Sequence, residues 1–351
     1  MQKLKVIGIS AGNGVLLYPL KKHVVANIEI RPAFQTEGDA QWKLNFPNAK
    51  LIKLKEFNQN GLEPIKDVDI IMGHPNCGAG SVLRLAKSKS YTSSRGDRSI
   101  DLFVTSVKRY KPKFFLLENL VALFNSFPKE EMKEMFKGYK LKFLTGPVSQ
   151  WGNSQIGRKR LVIIGIREDQ NISTRAFKLP KQESIKLNTA GALQKLLASQ
   201  LKQFNSAELF HKREPDSTVM HLERNWKRLN LGEIRDEWNK PENQSKKSWD
   251  ATTHGKGRMK TVPGVYRNRN DDYPRAVLRN NRQFDPEGNI MSPRQLANIQ
   301  GIPTDFKLYY NPDKLTYCLN KARVTIAKSP PHDIGKWFYR RIKKIYQDEN
   351  N

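Results

Sequence analysis

The first half of this chain alternates short apolar runs with longer polar or helical stretches, and that alternation restricts the fold more than any other feature. Strands are expected at Lys5–Ile9, Val24–Ile30, Asp69–Met72, Lys113–Leu117 and Arg160–Ile166. Each is short, rich in β-branched or aromatic residues, and bounded by charge or turn formers. Between them, Leu102–Tyr110 and Lys129–Lys137 carry apolar residues at helical spacing. Strands that alternate with helices build an α/β domain, a mostly parallel sheet covered by helices. Ligands of such sheets collect outside the carboxyl ends of the strands. Those ends carry Gly12-Asn13-Gly14, Glu29, Cys77 and Glu118.

The alternation stops near Asn171. From there to Gly264 the chain is polar and rich in Lys, Asn and Trp, including Trp226, Trp238 and Trp249, which marks a separate region. Helices are expected within it at Leu193–Phe204 and His221–Asn230, and a loop over 243–248. A turn at Asp285-Pro286-Glu287-Gly288 precedes renewed helical patterns at Ser292–Ile299 and Asp333–Tyr346. Ser292-Pro293-Arg294-Gln295 opens the first of these with an N-cap, a proline at the first helical position and a glutamine at the third.

Charge names the class of partner. Lys and Arg number 62 against 34 acidic residues, for a formal charge of +28 and a pI near 10.0. An excess of that size favours a polyanion, with nucleic acid first among them. Arg267, Arg269, Arg275, Arg279 and Arg282 are candidate phosphate or guanine contacts. Two cysteines, Cys77 and Cys318, make no disulfide framework, and Cys and His show no zinc-site spacing. A reducing, cytoplasmic setting without a structural metal is expected. No stretch of ~18 apolar residues suggests a membrane span.

The chemistry-bearing residues follow the strand ends. Gly12 and Gly14 let backbone approach a ligand closely at a strand-to-helix turn. Glu29, near the end of the next strand, is placed to accept from ribose hydroxyls, which points to a nucleoside-containing cofactor. No Gly-Lys-Ser/Thr ending is present, so a phosphate-loop triphosphate site is not indicated. Cys77 sits in a loop stiffened by Gly73, Pro75, Gly78 and Gly80, a setting for a nucleophile rather than a buried small hydrophobe. Glu118 either caps the following helix or, kept protonated by partial burial, donates to a ring nitrogen. Arg158 and Arg160, at the head of a strand, are expected to point to opposite faces, with one of them reaching the site.

Taken in order, these residues resemble the cytosine-C5 DNA methyltransferases that use S-adenosyl-L-methionine. Gly73 to Ser81 is similar to that family's Gly-Gly-Pro-Pro-Cys-Gln-Gly-Phe-Ser loop, keeping Gly73, Pro75, Cys77 and Ser81 at unbroken spacing. Glu118-Asn119 matches its Glu-Asn-Val motif. Gln155, Arg158 and Arg160 resemble its Gln-x-Arg-x-Arg motif with one extra residue after Gln155. Arg294 to Phe306, with Gln300-Gly301, resembles its Arg-Glu-x-Ala-Arg-Leu-Gln-Gly-Phe-Pro-Asp-Asp-Phe run. The chain departs from the pattern at His74 for Gly, Asn76 for Pro, Gly78 for Gln, Ser10 for Phe and Val15 for the third glycine.

The resemblance implies a Rossmann-like methyltransferase domain over 1–170, a smaller target-recognition domain over 171–284, and a segment over 285–351 that returns to the first domain. It implies S-adenosyl-L-methionine held by Ser10, Ala11, Gly12, Asn13, Gly14, Glu29, Ile30 and Pro75. Catalysis would fall to Cys77, Glu118, Arg158 and Arg160, and substrate binding to Asn119, Gln155, Gln300 and Gly301. Cys77 would add to carbon 6 of a flipped cytosine in DNA, making carbon 5 nucleophilic. The expected protein is a monomer on duplex DNA. The alternatives are the same chemistry on RNA, or a DNA-binding relative with weakened catalysis.

Overall fold

Neighbouring phenylalanines in one strand show how the first unit is layered. In β5 (Phe114–Asn119), Phe115 meets Phe103 edge-to-face at 5.8 Å and Phe136 at 4.6 Å, whereas Phe114 meets Phe177 at 6.2 Å and Tyr346 at 6.4 Å. Side chains alternate across a strand, so one sheet has a helical layer on each face. The structure, a computed structural model, describes residues 4–30, 36–54, 65–76, 98–153, 155, 157–179, 248–249, 265–267, 274, 277, 282–284, 293–308 and 324–348. The expected helices at Leu193–Phe204 and His221–Asn230 lie outside the described residues.

The sheet runs in the order β3 (Lys50–Lys53), β2 (Val24–Glu29), β1 (Val6–Ile9), β4 (Ile70–Gly73), β5, β7 (Lys159–Arg167), β6 (Tyr139–Pro147). β1 pairs in parallel with β2 on one side and β4 on the other, so the strand order reverses there. That reversal opens a crevice at the carboxyl ends of β1 and β4. β7 is antiparallel to both β5 and β6. Its amino end therefore meets the carboxyl end of β5, with Leu161 opposite Asn119 and Val162 opposite Glu118. Every residue of β1, β4 and β5 is buried, as their near-continuous apolar runs require.

One helical layer includes α2 (Arg98–Tyr110), where Ile100, Phe103, Val104 and Val107 form a buried stripe at i, i+3, i+4, i+7. Lys111 ends it in a left-handed conformation (φ 44°), and Pro112 cannot continue a helix. After α3 (Lys129–Met135), Phe136 adds to the same layer. On the other face α5 (His332–Asp348) buries Ile334, Trp337, Phe338, Ile342 and Ile345, with Phe338 stacked on Phe177 at 5.6 Å. Gly335 lets α5 approach the chain at Leu16, since a Cβ there would stand 2.0 Å from the Leu16 carbonyl oxygen. Two further helices are α1 (Thr36–Asn45) and α4 (Pro293–Ile299).

The chain divides into two compact units, Met1–Glu183 with Ser329–Asn351, and Ser184–Lys328. Helix α5 belongs to the first. In the second, β8 (Ser248–Trp249), β9 (Val265–Arg267) and β10 (Arg282–Phe284) make a three-stranded sheet in the order β10-β9-β8. Also in this unit, α4 stops at Gly301, whose φ of 73° needs no Cβ. Gly301 N–H donates to Asn298 and Ile302 N–H to Ala297, both at 2.9 Å, the paired bonds of a Schellman ending. No helix among the described residues is long and apolar enough to cross a membrane.

Candidate active site

The turn after β1 is built by three consecutive demands on backbone. Ser10 takes a left-handed φ of 49° while its N–H donates to Ile28 at 2.8 Å, which keeps the turn against β2. Gly12 (φ 60°) and Gly14 (φ 85°) then curl the chain, and Gly14 N–H donates to Ala11 at 3.0 Å. At the end of β2, Glu29 Oε1 accepts from Gly12 N–H at 2.7 Å and from Asn27 Nδ2 at 2.9 Å, and Asn27 Oδ1 accepts from Ala11 N–H at 3.4 Å. Asn27 thus locks the turn to β2. Its position two before Glu29 on one strand, hence on the same face, was the available sequence signal.

The turn fits a nucleoside cofactor. A Cβ at Gly12 would meet nothing within 4 Å, so backbone there faces open space. Ser10 Oγ is buried without a hydrogen-bond partner among the described residues, beside a buried carboxylate at Glu29. Asn13 turns elsewhere: its Nδ2 donates to Ser329 Oγ at 2.8 Å. Ala11 is buried, and Ile30 is half-buried against the sheet's core.

Glu118 is 0% exposed in the middle of the strand ends. Parallel pairing of Gly73 with Leu117 brings the next residue, His74, beside it. On the other side Val162 pairs with Glu118, and Arg160, two residues earlier on the same face, is its diagonal neighbour. Arg160 Nε stands 2.9 Å from Glu118 Oε1. His74 Nδ1 lies against Oε2 and 3.3 Å from the Glu118 main-chain oxygen. The Arg160 contact is an ion pair, whereas His74 is both a charge and a hydrogen-bond partner of the carboxyl. Burial alone would raise the Glu118 pKa. His74, Arg160 and Arg158 together outweigh it and hold the carboxyl below the ordinary glutamate range. The expected protonated, partly buried acid is therefore, in the free protein, a fully buried carboxylate.

Arg158 and Arg160 do diverge, though not by strand alternation, since positions two apart share a face. β7 begins at Lys159, so Arg158 precedes it and is free to turn away. Arg158 Nη2 donates to the Ser329 carbonyl at 2.6 Å. Asn119 Nδ2 donates to the Pro75 carbonyl at 3.1 Å. Gln155 is buried, with its N–H on Asn153 Oδ1 at 2.9 Å. Asn153 Nδ2 in turn donates to Asp333 Oδ2 at 3.0 Å. Gln300, in the second unit, is buried and donates to the Ile326 carbonyl at 2.7 Å. Cys77 and Gly78 lie outside the described residues, as do Arg269, Arg275 and Arg279. Asn76, the residue before Cys77, is exposed, and its N–H donates to Ser99 Oγ at 2.9 Å.

The model of the C-5 cytosine-specific DNA methylase family matches residues 4–322. The chain belongs to that family. Among its relatives are the type II methyltransferase M.NgoPII of Neisseria gonorrhoeae, 23% identical over 98% of this chain and 96% of that one, and M.MthTI of Methanothermobacter thermautotrophicus, 25% identical over 84% and 87%. In fold this C5 methylase is similar to an E. coli prophage protein assigned as a DNA modification methyltransferase, with a TM-score of 0.58 at 17% identity over 97% of this chain and 99% of that one. The methylase is a DNA cytosine-5-methyltransferase with the Rossmann-like fold of its relatives, and its family implies a methyl donor of the S-adenosyl-L-methionine type.

Proposed function

We propose that this methylase modifies carbon 5 of a cytosine flipped out of duplex DNA, through a covalent adduct at Cys77. The observation that supports this most is Glu118, a fully buried carboxylate at the end of β5, held between His74 and Arg160. The ring edge of cytosine, with an exocyclic amine and a protonatable nitrogen 3, offers donors that suit a carboxylate.

S-Adenosyl-L-methionine, when bound, supplies an electrophilic methyl group. Gly12 would let the backbone approach it, and Glu29 would hold its ribose. Carbon 5 of cytosine is a poor nucleophile. The Cys77 thiolate therefore adds to carbon 6, while Glu118 stabilises the proton gained at nitrogen 3, and electron density moves to carbon 5. Once carbon 5 carries the methyl group a base takes its proton, and elimination breaks the bond between sulfur and carbon 6, freeing the thiolate and releasing the nitrogen-3 proton. Arg160 holds the Glu118 carboxyl in place throughout. A paired cytosine hides these atoms, so the base leaves the stack at about a few kcal/mol, which pocket contacts offset.

The region over 171–284 would select the target sequence, and the protein would act as a monomer. Relatives named type II methyltransferases favour DNA over RNA and a place beside a restriction nuclease. The test is transfer of labelled methyl groups to DNA by wild type and by Cys77→Ala. Label at cytosine carbon 5 that disappears in the variant supports the reading, and label on adenine or on the exocyclic amine overturns it. DNA carrying fluorine at carbon 5 blocks the elimination and is expected to trap a protein–DNA adduct with wild type alone.

A further inference from the structure

We propose that His74 is a positioning residue that stores and returns the proton exchanged through Glu118, an inference that rests on the reaction proposed above. His74 stands where the family's loop carries glycine. Its imidazole is placed by register rather than chance, because the parallel pairing of β4 with β5 brings the residue after Gly73 beside the residue after Leu117. Nδ1 lies against Glu118 Oε2 and within 3.3 Å of the Glu118 main-chain oxygen. Both neighbours are acceptors, so Nδ1 carries the proton in this contact. The side chain is 13% exposed, against 0% for Glu118. The pair thus links a sealed carboxylate to a group with an outlet towards solvent.

The need for such a group follows from charge. Arg160 from β7 faces Glu118 at 2.9 Å, and Arg158, just before β7, adds a second guanidinium's field. Neither releases a proton at working pH. Both favour the carboxylate, so in the resting site Glu118 has no proton to offer nitrogen 3. Of the two side chains placed against its carboxyl among the described residues, Arg160 and His74, only the imidazole belongs to a type that can give up a proton in the physiological range.

The step balances as follows. As the thiolate adds to carbon 6, the Nδ1–H bond of the imidazolium breaks and its proton passes to Glu118 and on to nitrogen 3, where a new N–H bond forms. The imidazolium becomes neutral imidazole, and the carboxylate ends as it began. On elimination the proton returns by the same route. A glycine at this place leaves the proton to be drawn from solvent or to arrive with the base.

Single-turnover methyl transfer as a function of pH tests this, with H74N and H74G as variants. Asn retains an N–H donor near the place of Nδ1 but does not titrate. Wild type is expected to show a rising limb from the Cys77 thiol and a falling limb from the imidazole. H74N should keep the rising limb, lose the falling one, and run ~10–100-fold slower at the wild-type optimum. Affinities for DNA and for S-adenosyl-L-methionine should stay within about twofold. Independently of turnover, NMR titration of the His74 ring is expected to move to lower pH in E118Q, which removes the negative partner. Superimposable pH profiles for wild type and H74N overturn the proposal, as does a His74 titration unchanged by E118Q. If wild type places no methyl group on carbon 5, the reaction reading fails and this inference fails with it. If wild type is active and only the profiles coincide, His74 alone loses its role.

Discussion

Asn119 Nδ2 donates to the Pro75 carbonyl across 3.1 Å, so the strand end that carries Glu118 also holds the loop leading to Cys77. The same amide's oxygen accepts from Leu120 N–H at 2.7 Å, which fixes its orientation. Carboxyl and thiol are thereby referred to one residue. Asn119→Ala leaves the buried Pro75 carbonyl without this donor, at about 1–3 kcal/mol. A displacement of about 1 Å in a reacting group is worth ~100-fold in rate. The variant is expected to lose roughly that factor in kcat with little change in the KM for DNA, as measured by steady-state methyl transfer.

Glu118→Gln removes the charge that Arg160 and His74 face. Breaking a buried pair from one side costs on the order of 3 kcal/mol, because the remaining charge is left uncompensated. Methyl transfer is expected to fall by ~100–10,000-fold. The pH dependence of stability also changes. The folded pKa of Glu118 lies below its unfolded value, so its stabilising contribution is complete above the ordinary glutamate range and is lost as pH falls through the lower folded value. Acid denaturation curves should therefore show a shallower loss for the variant than for wild type over that window.

Asp333 behaves in the opposite sense. Burial raises its pKa to about 6, against the opposing hydrogen bond from Asn153 and the charges of Lys336 and Arg340. The native state thus favours the protonated acid. Stability is greatest below the ordinary aspartate pKa of 3.8, declines as pH rises from there to about 6, and is flat beyond. Asp333→Asn mimics the protonated form and keeps an oxygen for Asn153. It is expected to gain about 1–2 kcal/mol at pH 7–8, less than the full linkage value because the residue is only half-buried. Urea midpoints at pH 4 and pH 8 would check it, with most of the gain appearing at the higher pH.

Gly335→Ala sets helix propensity against packing. Alanine is the better helix former by about 1 kcal/mol. Its Cβ, however, would stand 2.0 Å from the Leu16 carbonyl oxygen, and backbone cannot yield there without moving the turn that follows β1. Net destabilisation of about 1–3 kcal/mol is expected, read as a lowered thermal midpoint. An unchanged midpoint would show that α5 can shift away from Leu16 freely.

Contiguous apolar runs made the strands β1, β2, β4, β5 and β7 legible to within one or two residues, and Glu118-Asn119 could be assigned to the end of one of them. β6 was missed because Lys140 and Lys142 interrupt its apolar residues, as suits a strand at the sheet's edge among the described residues. β3 spans only Lys50–Lys53, with lysine at both ends. The antiparallel setting of β7 was not visible, because strand direction depends on which distant strand is its neighbour. The same reason hid the pairing of His74 with Glu118, which are brought together by register between β4 and β5. Nothing local marks Ser329 or Asp333, whose partners are Asn13, Arg158 and Asn153.

Ser329 has a consequence for how this protein is made. Its hydroxyl accepts from Asn13 and its carbonyl from Arg158, yet it is the first residue of the segment that rejoins the first unit. A ribosome that has finished Glu183 must still add the whole of Ser184–Lys328 before that residue exists, roughly 10–30 s at ordinary elongation rates. During that interval the turn at Asn13 and the arginine loop await a partner not yet synthesised. A nascent chain is therefore structurally incomplete as an enzyme until Ser329 has been added, and one that terminates before it remains so.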